Sequence, residues 1–184
     1  MKVIGIDLAG KETNPTGMAV LTEEDLSVST LGSDDEILSE CKDNHPDVVA
    51  IDAPLNFPVE GSFREADSEL ISRGHRVLPP SLGGMKFLTE RGIRLAEELR
   101  EQGFEVIEIH PRTSGKILFE TPDREEWIRE LEKHGWKLGE DVSEHEVDAA
   151  LTALTGLLYL KGEFEKVGEK EEEIIIPRES LRVL

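Results

Sequence analysis

Two stretches share one pattern: VIGIDLAG, residues 3–10, and VVAIDAPL, residues 48–55. Each has four residues suited to a buried strand, then an aspartate, Asp7 or Asp52, then a break. The second run is continuous and β-branched, the pattern of a strand covered on both faces and paired parallel with its neighbours. If the two strands are adjacent and parallel, both carboxylates project from one edge of the sheet. A third acid, Asp148, lies in EHEVDAALTALTGLLYL, residues 144–160, among Val147, Leu151 and Leu154. Its spacing to Leu151, Thr152 and Thr155 puts it on one helix face near the N-terminal end. The three acids can converge.

Outward from these runs, residues 2–8 and 17–22 read as a hairpin joined by a Gly-, Asn- and Pro-containing turn, with a third strand at 26–31. Ser33 opens a helix whose first turn carries Asp34, Asp35 and Glu36, where the helix dipole favours negative charge; it ends before His45 and Pro46. A long segment punctuated by Pro and Gly, 53–85, holds a helix near 64–73 and the loop LPPSLGG. A helix at 86–102 stops at Gly103, a strand follows at 104–109, and charged helical sequence occupies 123–134. The last helix, 143–161, begins with a Ser143–Glu146 capping box. Residues 163–173 read as a solvated turn, and III at 174–176 as an edge strand closed by Pro177. Three strands in a meander followed by alternating helices and strands predict an α/β fold, a mixed sheet with helices on both faces.

The 184 residues suffice for one domain that buries roughly 70% of its unfolded surface. One cysteine, Cys41, excludes an internal disulfide and a Cys-rich zinc site. The N-terminus has no apolar stretch of signal-peptide or membrane-helix length, so a cytoplasmic protein without membrane association is expected. The formal charge of −19 disfavours non-specific binding to a polyanion. The imbalance is uneven. Residues 61–100 hold seven basic and six acidic side chains, a sum of +1, so the rest carries −20 and an anion would approach this middle segment.

Gathering carboxylates is costly: two about 4 Å apart repel by roughly 4 kcal/mol at an effective dielectric of 20. A proton can offset this by raising one pKa, but Mg²⁺ or Mn²⁺ does so more fully, being hard cations that prefer oxygen ligands. Ala9 and Gly10 would leave room beside such an ion.

GIDLAG, VVAIDAPL and the HxxD arrangement of His145 and Asp148 resemble the retroviral-integrase and RNase H-like superfamily, especially its Holliday-junction resolvase branch. GIDLAG, IDAPL, READSEL, VIEIHPRTSGK and EHEVDAALTAL, in that order, resemble an uncharacterised family of predicted nucleases, domain of unknown function 429, over nearly the whole chain. The resemblance implies a five-stranded RNase H-like sheet and a metal-dependent nuclease site using Mg²⁺ or Mn²⁺. Asp7, Asp52 and Asp148 match its acidic positions. For a fourth ligand Glu108, Glu144 and Glu146 compete, with His145 open in the resolvase manner. The chain then reads as a single domain over 1–184 with an insertion at about 53–85 and an added strand at about 173–177.

Around these acids stand candidates for binding an anionic substrate: Arg64 and Arg73 on the helix near 64–73, His75 before LPPSLGG, where with Arg76 it could form a lid near the acids, and His110, Arg112, Ser114 and Lys116 in EIHPRTSGK. Ordinary i,i+3 salt bridging between Arg64 and Asp67 is the competing account of that helix. Trp127 and Trp136 are expected to pack. The leading expectation is a metal-dependent nuclease or phosphodiesterase acting on a nucleic acid or a small phosphate ester, with assembly into a homo-oligomer left open. Two alternatives stand beside it: an RNase H-like binding scaffold without turnover, and a relative of the sugar kinases and ATPases, whose strand–acid–glycine opening is similar but which need a second domain.

Overall fold

The apolar runs that end in aspartate become adjacent strands at the centre of a seven-stranded sheet. The computed structural model describes residues 1–169 and 172–181. Strands β1 (Lys2–Asp7), β2 (Thr16–Thr22) and β3 (Leu26–Leu31) form an antiparallel meander. After α1 (Asp34–Asn44) the chain returns as β4 (Val48–Asp52), parallel to β1. Helices α2 (Glu65–Ser72) and α3 (Gly84–Glu101) lead to β5 (Val106–Ile109), parallel to β4. Helices α4 (Pro111–Phe119), α5 (Arg124–Lys133) and α6 (Glu144–Leu160) precede β6 (Phe164–Val167), β7 (Ile174–Pro177) and a 3-10 turn at Glu179–Leu181. The strand order is β3-β2-β1-β4-β5-β7-β6. No helix among the described residues is long and apolar enough to cross a membrane.

Strand alternation decides what each face carries. Val3, Val48, Ala50, Ile107 and Ile109 pack against α4, α5 and α6. Ile4, Ile6, Val49, Ile51 and Val106 pack against α1 and α3. Asp7 and Asp52 share parity with the first set, so they end their strands on the face covered by α6. Both caps read from the sequence form: Ser33 and Ser143 each accept from the backbone N–H three residues on, and Glu36 and Glu146 reach back to the cap N–H. His45 ends α1 in the left-handed region.

Three features depart from expectation. Among the described residues the sheet has seven strands rather than five. The "solvated turn" contains β6, a short strand bounded by Gly162 and Gly168 at positive φ. It pairs with β7, so IIIP lies between β5 and β6, and β6 is the edge. PRTSGKILF forms α4, which the Ser-Gly pair disguised because both are weak helix formers. Pro111 sits where proline suits a helix start. Gly115 is there because a Cβ would lie 2.3 Å from the buried Trp127 ring. Trp127 donates to the Thr121 carbonyl and Trp136 to that of Thr22, both as packed side chains.

Candidate functional site

Asp7 and Asp52 are partners on the last rung of the parallel β1–β4 ladder. Helix α6 is able to reach them because glycine replaces side chains beneath it. A Cβ at Gly5 would lie 2.3 Å from the Ala149 carbonyl oxygen, and one at Gly17, the β2 partner of Asp7, 2.0 Å from that of His145. The helix therefore rests on backbone, and its first turns meet the strand ends. His145 Nδ1 lies 2.7 Å from Asp7 Oδ2. Asp148, three residues on and 6% exposed, comes up on the same side.

The electrostatics are those of crowded acids. Burial pushes the Asp52 carboxyl well above the ordinary aspartate range, the Asp7, Asp148 and Glu108 carboxylates push it further, and its hydrogen bond with Asp7 acts in the same direction. Nothing among the described residues neutralises it. Asp7 is raised first by burial, which the His145 hydrogen bond opposes; the Asp148 carboxylate raises it, and the charges of His145 and Arg124 oppose. The pair thus retains a proton to higher pH than an exposed aspartate does. Asp148 is neutralised: Arg124 Nε donates to its Oδ1 at 2.7 Å and Nη2 to its Oδ2 at 2.5 Å. The Arg124 Nη1 also lies 3.4 Å from Glu144.

Adjacent oxygen donors with no basic side chain on Asp52 fit a hard divalent cation by donor chemistry. Among the described residues no three His, Cys, Asp or Glu side chains already form a closed metal cluster. The reason is visible: Asp148 is turned to Arg124, and Glu108, the fourth-ligand candidate, lines the same cleft but is taken up by Arg64. Glu108 pairs in register with Ile51 on the α1 and α3 face. Its oxygens accept from Arg64 Nη1 at 2.7 Å and Nη2 at 2.6 Å and from the Leu55 N–H at 2.8 Å. The Glu146 carboxylate is occupied in the Ser143 capping box. Gly10 packs against the backbone of Leu88 in α3, and buried Arg91 ties the Ala9 carbonyl to the Gly32 carbonyl and Asp34.

The predicted substrate-binding residues fall into three places. Arg64 is buried with all five N–H donors placed: on Asp67 twice, Glu108 twice and Asn56 once. It has no donor left for a substrate. Burial opposes its charge, and the Glu108 and Asp67 carboxylates prevail, so its pKa is raised. Arg73, His75 and Lys116 line a separate depression of about 280 Å³, where Arg73 pairs with Glu69 and Glu165. His110 and Arg112 line a cleft of about 470 Å³ together with Asp52 and Asp148. His110 caps α4, meets the Thr113 hydroxyl at 2.8 Å, and has its pKa lowered to about 4 by burial first and then by His75 and Arg112. Ser114 is fully buried within α4.

Sequence reasoning missed Arg124. It lies 24 positions from Asp148 and opens α5 behind the N-cap Asp123, so no helical periodicity connects it to the acid. Only the packing of α5 on α6 does.

The sequence profile of a family described as "Protein of unknown function (DUF429)" matches residues 5–173. No curated protein matches the chain. Among solved structures, Thermus thermophilus RuvC superposes with a TM-score of 0.56 at 16% identity, covering 88% of this chain and 96% of that one. T. thermophilus RuvC in complex with a Holliday junction substrate does so with a TM-score of 0.55 at 17% identity, with the same shares covered. At these identities the likeness establishes the fold, RNase H-like, as the sequence predicts.

Proposed function

We propose that this chain, which belongs to the DUF429 family of proteins of unknown function, is a metal-dependent phosphodiester hydrolase of the RNase H-like fold. The observation that carries the reading is the placement of Asp52: it pairs with Asp7 on the last rung of two parallel strands and lines one cleft with Asp148, and no basic side chain among the described residues pairs with it. Such a group is expensive to keep unless a cation completes it. Asp7 and Asp52 would hold Mg²⁺ or Mn²⁺, with Asp148 joining them on release from Arg124. When bound, the ion would activate a water and stabilise the leaving oxygen of a phosphate ester.

The protein's own groups supply the rest. His145 fixes the rotamer of Asp7 through its Nδ1 contact. Arg112 and Arg76 line the cleft beside Asp52 and Asp148 and offer guanidinium donors to a substrate phosphate. Residues 1–184 act in this reading as one domain, with 53–85 inserted to form much of the cleft, and the working place is the cytoplasm. A nucleic acid or a small phosphate ester is the substrate; the T. thermophilus relative in fold was solved with a Holliday junction.

One observation favours a scaffold without turnover: Arg124 already neutralises Asp148. Cleavage of a labelled oligonucleotide and of bis-p-nitrophenyl phosphate with Mn²⁺ separates the two. Wild type should cleave at least one of them, and Asp7→Asn and Asp52→Asn should each lower the rate by about 100-fold or more. Cleavage that survives both substitutions rejects the site; a wild type that binds Mn²⁺ there but cleaves neither leaves the scaffold.

A further inference from the structure

The cleft beside Asp52 and Asp148 has linings of two kinds. Its volume of about 470 Å³ falls within the range of roughly 300–1,000 Å³ typical of small-molecule sites. Besides the acids it is lined by Val77, Leu78, Met85 and Leu88. Leu78 is 62% exposed, so its side chain is open to a ligand at the rim of the cleft. The turn beside this lining is tied to α3 at one point: the buried Thr89 hydroxyl lies 2.9 Å from the Pro80 carbonyl, and 2.8 Å from that of Met85 within the helix itself. Two exposed guanidiniums, Arg76 and Arg112, complete it. Among the described residues neither forms an ion pair, although acidic side chains outnumber basic ones 40 to 21.

We infer that this cleft takes a nucleotide whose base is unpaired, free or within a single strand, in preference to a duplex. The base lies on Leu78, Met85 and Leu88, and its phosphate meets Arg76 and Arg112. In a duplex the base faces are stacked inward and cannot use an apolar lining, while duplex affinity depends on many phosphate contacts along a broad basic surface. Here the charge outside residues 61–100 is −20, so only a short stretch of backbone can be neutralised. Among the described residues no Phe, Tyr or Trp lines the cleft, so the hold on the base is aliphatic and discriminates weakly between bases. The inference rests on the hydrolase reading for the fate of the phosphate, but binding needs no metal, which allows the two to be tested apart.

Anisotropy in EDTA, with a labelled 12-nucleotide thymidine strand, its 12-base-pair duplex and a four-way junction, tests the preference. The single strand should bind at least about ten-fold tighter than either. Competition by thymidine monophosphate would show that a free nucleotide suffices, and its failure to compete that a strand is required. Leu78→Gln, at an exposed position where Tm should not move, should weaken single-strand binding about five- to ten-fold. Arg76→Gln with Arg112→Gln should reduce the salt slope by about two. Equal or tighter binding of duplex or junction, an unaffected Leu78→Gln variant, or no binding of any of the three overturns the inference. If the strand preference holds in EDTA while Asp7→Asn leaves Mn²⁺-dependent cleavage intact, the hydrolase site fails and the nucleotide cleft stands.

Discussion

Asp7 and Asp52 occupy the same rung of the β1–β4 ladder, the last before both strands end. Parallel strands in register project same-parity side chains to the same face, so the two carboxylates are held together by backbone hydrogen bonds rather than by flexible loops. Helix α6 adds Asp148 from above. Acids fixed in this way are a cost to the fold that a cation or a proton must offset.

A pH dependence follows. The folded-state pKa of Asp52 is raised above the unfolded value near 3.8, so the protonated group contributes fully below that value and its contribution is lost as pH rises through the folded pKa. In EDTA, wild-type Tm should therefore fall relative to Asp52→Asn as pH rises above about 4. Saturating Mn²⁺ should restore to the wild type what rising pH removes. Parallel Tm profiles for the two proteins would contradict this.

Arg124 competes with any cation for Asp148, gripping both of its oxygens. Arg124→Gln should strengthen Mn²⁺ binding by several-fold in an isothermal titration, because the ion no longer has to displace a guanidinium. Asp148 is buried, so losing its cation should also lower thermal stability without metal by more than the roughly 1 kcal/mol of an exposed pair, and Mn²⁺ should restore the loss.

Gly17 lets α6 lie against β2, where a Cβ would meet the His145 carbonyl at 2.0 Å. Gly17→Ala should cost about 1–3 kcal/mol or more by overpacking. It should also abolish Mn²⁺-induced stabilisation by moving His145 and Asp148 away from Asp7. Gly10→Ala, whose nearest neighbour would be at 3.3 Å, should be mild in both measurements.

Arg64 joins the inserted segment to β5 through Asp67 and Glu108. Arg64→Met leaves two buried carboxylates without their cation and should destabilise by about 3–5 kcal/mol, lowering Tm by roughly 10 °C. Adding Glu108→Leu should return part of the loss. Chemical denaturation of the single and double variants measures both.

Much of the central architecture was legible because its signals are local. VIGI and VVAI announce strands, Ser33 and Ser143 announce helix starts, and strand parity places Ile107 and Ile109 opposite Glu108. The same parity, carried across the β4–β5 register, separates Glu108 from Asp7 and Asp52, a step that requires knowing which strands pair. What stayed hidden depends on long-range packing. The pairing of FEKV with IIIP turns an expected edge strand into an interior one. The Trp127 ring explains Gly115 within α4. Arg64 reads locally as an i,i+3 partner of Asp67, as it is, but its second carboxylate lies 44 positions away. Arg124 has no local relation to Asp148 at all.

The most direct measurement is anomalous scattering from a crystal soaked in Mn²⁺. The account predicts anomalous density beside the Asp7 and Asp52 carboxylates, with the Asp148 side chain released from Arg124. A well-ordered site in which Asp7 and Asp52 remain hydrogen-bonded to each other, with no anomalous density beside them at saturating Mn²⁺, would contradict it.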